Sequence, residues 1–353
     1  VDPILLLTGL LLLAFGLLGV GVAEPGLLSG HLLRVGLALL VLLAGSLIPP
    51  RLLLKGAFGL LLSTLALLAL VLLLGDGPGG VRRWFYLGSF GFQPSELAKV
   101  AVVAYLASFV KRKGNDYPIV GPVLLVGSTV GLILVEPDFS TALFLATLAT
   151  LLLILAGVPW RRLIAIGLAG SLVVAPFAGA YLSRFQYVSE RFGGFLAYLK
   201  GEASPKETAY QVLQAQKAIL LAGPLGQGPG GNLPHLPEAH NDMVFASVVF
   251  AMGWLGGAMV LFLYLLLFLR GLSVALKLPG GEGVLAMGLT LYLTLQAALN
   301  IGVTLGFLPV TGMPLPLISY GGSSLLVSGL ALGLLLSLER EGRKGGKAWP
   351  ASS

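Results

Sequence analysis

Glu96 and Lys99 stand three residues apart at the start of an apolar run, which puts an acid and a base on one helical face. Glu136 and Asp138 close another apolar run, Asp242 directly precedes a third, and Arg82 and Arg83 lie in the segment before Glu96. Arg34 lies in the first turns of a further run. A charge deep in hydrocarbon costs roughly 2.5–3.5 kcal/mol on insertion scales, so charges at such places need a reason. Grouped acids and bases imply chemistry on, or transport of, something charged. Structural roles compete at every position. Glu96 and Lys99 make a plausible ion pair, and Arg82 and Arg83 suit interfacial anchors beside Trp84. Asp138 and Asp242 both precede helical runs, where aspartate is favoured as a cap. Spacing alone leaves both readings open. The three histidines, His31, His235 and His240, lack a zinc spacing, and with no cysteine the chain has neither disulfides nor thiolate chemistry.

The elements that must carry these groups are membrane helices. The chain is 56% hydrophobic and 10% charged with a mean hydropathy of +0.94, whereas soluble domains carry about 25% charged residues. The expected fold class is an all-α polytopic bundle of about ten transmembrane helices. Apolar runs of spanning length cover 4–22, 32–48, 56–74, 97–110, 118–135, 141–156, 163–182, 243–269, 284–308 and 323–338. The fourth and sixth are short. The first lacks a basic leader and a small-residue cleavage site, so it is read as a retained helix. The 50 glycines suit helices packed through small residues.

Charge distribution sets direction. With the N-terminus inside, the inner loops and tail hold Arg51, Lys55, Lys111, Arg112, Lys113, Arg161, Arg162, Arg270, Lys277, Arg340, Arg343, Lys344 and Lys347. The short outer loops hold only Arg82 and Arg83. Both termini are therefore expected in the cytoplasm. The net charge of +7 follows from this asymmetry and does not indicate a nucleic-acid partner. The long loop 183–242 then faces outward, with one amphipathic interfacial helix near 185–200, a second helix near 210–221 and a glycine-rich turn at 223–231. The whole chain, 1–353, reads as one transmembrane domain with a cytoplasmic tail at 339–353. No internal repeat is visible.

Four blocks, in order, resemble the SEDS family (RodA/FtsW/SpoVE). The first runs from Arg82-Arg83-Trp84-Phe85 through Phe92-Gln93-Pro94-Ser95-Glu96-Leu97-Ala98-Lys99, and the second is Glu136-Pro137-Asp138-Phe139-Ser140-Thr141. The third is Leu236-Pro237-Glu238-Ala239-His240-Asn241-Asp242, and the fourth extends from Leu308-Pro309-Val310-Thr311-Gly312 to Ile318-Ser319-Tyr320-Gly321-Gly322-Ser323. Departures are Asn241 and Met243 for the usual Thr and Phe, and Glu136 and Ser140 for Gln and Gly.

That resemblance implies a peptidoglycan glycosyltransferase of the bacterial cytoplasmic (inner) membrane, polymerising the polyprenyl-diphosphate sugar lipid II on the outer face. A class B penicillin-binding protein is the implied partner, alongside membrane lipids, and the short tail inclines the reading toward the RodA branch. Asp242 matches the family's catalytic aspartate and is the expected general base. Lys99 and Arg83, then Arg82 and Arg34, are the expected cations for the diphosphate, with Glu96 orienting Lys99. Asp138 is expected to help hold the acceptor or a cation, and Ser319 is a further candidate for substrate binding. No cofactor is assigned; a divalent cation (Mg or Mn) is a candidate to share the diphosphate charge, with no ligand set evident. A lipid II flippase and a non-catalytic scaffold for cell-wall enzymes are the rival readings. A one-sided charge cluster suits the enzyme better, because alternating access places sites near the midplane.

Overall fold

The computed structural model describes residues 2–77, 80–88, 90–113, 119–165, 167, 186–200 and 208–345. Helices α1 (Pro3–Ala23), α2 (Leu28–Leu47) and α3 (Pro50–Leu74) come first, with a 3-10 turn at Pro25–Leu27. A short antiparallel hairpin, β1 (Phe85–Leu87) and β2 (Phe90–Phe92), pairs Phe85 with Phe92. Next come α4 (Pro94–Lys113), α5 (Val120–Val135) and α6 (Phe139–Leu155), then α7 (Gln186–Leu199) and α8 (Thr208–Ala222). Helices α9 (Val244–Lys277), α10 (Gly280–Thr304) and α11 (Gly322–Gly345) complete the described residues.

Local chemistry sets several helix starts. Asp2 caps α1 by accepting from the amides of Ile4 and Leu5 at 2.9 and 3.2 Å, and Pro3 and Pro50 open α1 and α3, where a missing N–H matters least. Six helices among the described residues are long and apolar enough to cross a membrane, and α5 and α6 are shorter apolar helices. Helix α4 is less apolar, because Glu96, Lys99, Lys111, Arg112 and Lys113 lie on it, yet it runs through the centre with 98–107 buried. The expected span 163–182 lies largely outside the described residues. Helices α7 and α8 match the two helices expected in the long outer loop.

Outward-facing leucines establish the solvent. On α2, Leu33 is 67% exposed, Leu40 63% and Leu47 62%, an apolar face that water would not tolerate and lipid tails would. The chain is a multi-pass membrane protein. Its helices meet through small residues: a Cβ on Gly333 of α11 would lie 2.2 Å from the Leu42 carbonyl oxygen of α2. Ion pairs join the ends remote from Glu96 and Asp242, including Asp2 with Arg270 and, at 2.8 Å, Lys111 with Glu282.

Helix α9 is longer than the expected 243–269 and is broken at Gly253, whose φ of 74° and ψ of −175° are open to glycine alone. The break does not leave backbone groups bare. The glycine-rich turn inserts there, with Gln227 and Gly228 amides donating to the carbonyls of Phe250 and Ala251 at 2.9 and 3.0 Å. Trp254 N–H in turn donates to the Gly223 carbonyl at 3.0 Å.

Gly333→Leu is expected to destabilise the bundle by about 1–3 kcal/mol, since a backbone carbonyl, not a yielding side chain, occupies the space. Thermal unfolding in detergent measures this. An unchanged midpoint would show that α2 and α11 do not approach so closely.

Candidate active site

Asp242 sits in the tight turn that feeds α9. The Glu238 carbonyl accepts from the amides of Asn241 and Met243, both at 3.0 Å. Neighbouring elements then clamp the turn by its backbone. Asn300 Nδ2 of α10 donates to the carbonyls of Asp242 and Met313, each at 2.8 Å. Ser319 Oγ donates to the Asn241 carbonyl at 2.7 Å and accepts from the Leu315 amide at 2.7 Å. The Tyr320 amide reaches the His240 carbonyl at 3.0 Å.

The carboxylate itself is left for other work. Met243, not Asp242, is the N-cap of α9, and no side chain caps that helix. Oδ1 of Asp242 is sealed from solvent with no hydrogen-bond partner. Burial, with the nearby Glu238 and Asp138 charges, pushes its pKa up to about 7 against the opposing pull of Arg191.

Arg191 projects from α7 and donates Nη1 to the Thr311 carbonyl at 3.0 Å. A Cβ added to Gly312, which adopts a φ of +73°, would lie 3.6 Å from both Arg191 Nη2 and Asp242 Oδ2. Glycine suits that positive φ, and the position lies between the acid and the guanidinium. Among the described residues Arg191 is the one charged side chain lining a cavity of about 250 Å³, whose walls include Phe139, Leu143, Phe144, Phe192, Leu295 and Leu299. An apolar slot with a single guanidinium beside a carboxylate suits a lipid with an anionic head.

Lys99 lies elsewhere. It is 0% exposed, with Nζ 2.7 Å from Glu96 Oε1 and 2.8 Å from Gln296 Oε1. Gln296 Nε2 passes the connection on, donating to the Pro314 carbonyl at 2.8 Å. Arg83 Nε donates to the Glu136 carbonyl at 2.7 Å, and its Nη2 to the Pro137 carbonyl, at the negative end of α5. Arg82 likewise reaches the Leu72 and Leu73 carbonyls that end α3, at 3.1 and 3.2 Å. Asp138 caps α6 through the Thr141 amide at 3.1 Å and also accepts from Gln93 Nε2 at 3.3 Å. The Arg34 guanidinium stacks 3.9 Å from the Tyr320 ring, against which His240 packs at 5.6 Å.

The structure thus brings Arg191 to Asp242, where sequence reasoning had set Lys99 and Arg83. Lys99 and Ser319 are buried with their hydrogen bonds engaged, and Arg82 and Arg83 bind backbone carbonyls. Arg191 was read only as part of an amphipathic helix. Gln296 and Asn300 also went unnoticed, although two amides four residues apart inside a spanning run are as much in need of a reason as charges. Among the described residues no group of three or more His, Asp or Glu is placed to hold a metal ion.

Known proteins match the chain along most of its length. The family model FTSW_RODA_SPOVE, described as "Cell cycle protein", matches residues 27–344. A "Probable peptidoglycan glycosyltransferase FtsW" of Halorhodospira halophila is 39% identical over 79% of this chain and 72% of its own. The "Peptidoglycan glycosyltransferase MrdB" of Escherichia coli is 33% identical over 96% of this chain and 93% of its own. Among solved structures, a chain from "Structural coordination of polymerization and crosslinking by a peptidoglycan synthase complex" superposes with a TM-score of 0.78 at 33% identity, covering 96% of this chain and 97% of that one. Relatives of both names match, so similarity gives the family without the branch.

Glu136 supplies a test of the site's electrostatics. It is 0% exposed, and neither carboxyl oxygen has a hydrogen-bond partner. Burial first, then Asp138, raises its pKa from 4.5 to about 8, opposed by Arg83. The folded state therefore keeps a proton that the unfolded chain releases above 4.5. The associated stability is full below that value and declines as pH rises toward about 8. Glu136→Gln is expected to flatten the fall in unfolding temperature across this window and to stabilise the protein at its alkaline end. Parallel curves for the two proteins would mean that Glu136 is ionised in the fold.

Proposed function

The chain belongs to the FtsW/RodA/SpoVE family of cell-cycle proteins, and from that premise we propose that it is a peptidoglycan glycosyltransferase. Its substrate is lipid II, taken on the outer face of the bacterial cytoplasmic membrane, with both termini in the cytoplasm. The observation that carries this reading is that Arg191, which lines an apolar slot, and Asp242, whose Oδ1 has no hydrogen-bond partner, flank Gly312 together.

The chemistry follows from the bond to be made. An α-linked sugar diphosphate gives a β-1,4 linkage by a single displacement. The acceptor's 4-hydroxyl oxygen attacks the anomeric carbon, and its proton passes to Asp242. The bond from that carbon to the diphosphate oxygen breaks, and the diphosphate lipid leaves with the electron pair. A base whose pKa is raised to about 7 is well matched to taking a hydroxyl proton near neutral pH. Arg191 is assigned to the charge that collects on the diphosphate, where fixed cations act most strongly away from water. The polyprenyl tail would lie along Leu143, Phe144, Leu295 and Leu299.

Lys99 is assigned a positioning role. Its contact with Gln296 orients the amide that holds the Pro314 carbonyl, and with it the 313–319 segment clamping the Asp242 turn. Arg83 and Asp138 similarly fix the outer turn between α5 and α6. A transpeptidase of the class B penicillin-binding type is the proposed partner, in keeping with the synthase complex that the chain resembles.

Purified protein supplied with lipid II and this partner, with glycan strands resolved on a gel, tests the reading. Asp242→Asn is expected to lose about a hundred- to ten-thousand-fold in polymerisation while folding normally. Arg191→Ala should lower turnover substantially, and Arg191→Lys should recover part of it. The wild-type rate should fall as pH drops through about 7, where Asp242 takes up a proton. Normal strands from Asp242→Asn would end the proposal.

A further inference from the structure

A second cavity opens at the opposite end of the bundle, where the C-terminal ends of α4, α6 and α9 meet the start of α10. It holds about 550 Å³ and is lined by Val110, Leu152, Leu155, Leu276, Leu278 and Met287, with alanine, valine and glycine completing the wall. Among the described residues no polar side chain lines it, which favours an apolar occupant over ordered water. Its size lies within the usual range of ligand sites, about 300–1,000 Å³.

The rim of this slot is basic. Lys277 stands between the lining residues Leu276 and Leu278, is exposed, and has no acidic partner among the described residues. Lys111 follows the lining residue Val110, and Glu282 answers its charge at 2.8 Å. Arg112 is exposed as well and spends only Nε, on the Ser108 carbonyl at 3.3 Å. A net positive rim thus surrounds an apolar slot on the side where Arg51, Arg270 and Arg340 also gather. No side chain caps the start of α10, which adds its partial positive charge to the rim.

We propose that this cavity holds one acyl chain of an anionic phospholipid from the cytoplasmic leaflet, with the phosphate drawn to Lys277 and Arg112. A zwitterionic lipid has the same tail and gains less from the rim, since anionic headgroups favour juxtamembrane basic residues by about fivefold per residue. The site is separate from the glycosyltransferase reading and does not depend on it.

Native mass spectrometry of the full-length protein, equilibrated with equal phosphatidylglycerol and phosphatidylcholine of identical chains, tests the proposal. The wild type should retain phosphatidylglycerol about fivefold or more over phosphatidylcholine. Lys277→Glu should erase that preference without reducing phosphatidylcholine, and Leu155→Trp, which fills the slot from an exposed position, should reduce both lipids. Arg51→Glu, on the same side but away from the cavity, should leave the preference intact. Equal retention of both lipids by the wild type would overturn the proposal. So would an Arg51→Glu loss as large as that of Lys277→Glu, or undiminished binding by Leu155→Trp.

Discussion

The Lys99 ammonium, enclosed between Glu96 and Gln296 in the centre of the bundle, is the interaction from which the outer site hangs. An isolated charge could not persist there, because desolvation in such a setting amounts to several kcal/mol per ion. The acid three residues earlier supplies the counter-charge, and the amide of α10 supplies the remaining oxygen. Gln296 is thereby oriented with its Nε2 toward the Pro314 carbonyl. One turn further along α10, Asn300 holds Met313 and Asp242 by their carbonyls. Helix α10 thus acts as a ruler on which α4, the 308–321 segment and the Asp242 turn are set in register.

This arrangement divides labour between backbone and side chains. The turn is held almost wholly through main-chain carbonyls, so the Asp242 carboxylate has no structural duty. Arg82, Arg83 and Asp138 serve helix ends, where unpaired carbonyls or amides need partners. Asp242 serves no helix end, and Arg191 lies across the Gly312 position from it. Two carboxyls in the same region, Asp242 and Glu136, have pKa values near 7 and 8, both raised chiefly by burial. A protonated Glu136 occupies its buried place without a charge.

Much of this was legible in the sequence because lipid imposes simple rules. Run length located most of the helices, and the mix of aromatic and charged residues in the long loop placed α7. Charges at the ends of apolar runs brought Asp242, Asp138 and Lys99 to notice, and the motif blocks gave them expected roles. What pattern could not supply was partnership. Nothing local reveals that Arg191 folds over to Gly312, or that Lys99 is closed off by an amide 197 residues later. The break at Gly253 was hidden for a related reason. Gly256 and Gly257 follow it in the same helix, and only the inserted turn decides which glycine gives way. The hairpin at 85–92 did leave a signal, an aromatic alternation around Gly88, but it is too short to compete with the apolar runs beside it.

Helices α5 and α6 contain 16 and 17 residues, which at ~1.5 Å per residue reach about 24–26 Å. A hydrocarbon layer is about 30 Å thick, so on this flank the bilayer thins or the turn at 136–138 rides beneath the phosphate plane. Either way the outward faces of α5 and α6 end at the depth where an amphiphile carries its head. A long-tailed sugar carrier can present its head there while its chain stays dissolved in oil, and it need not be lifted into water first.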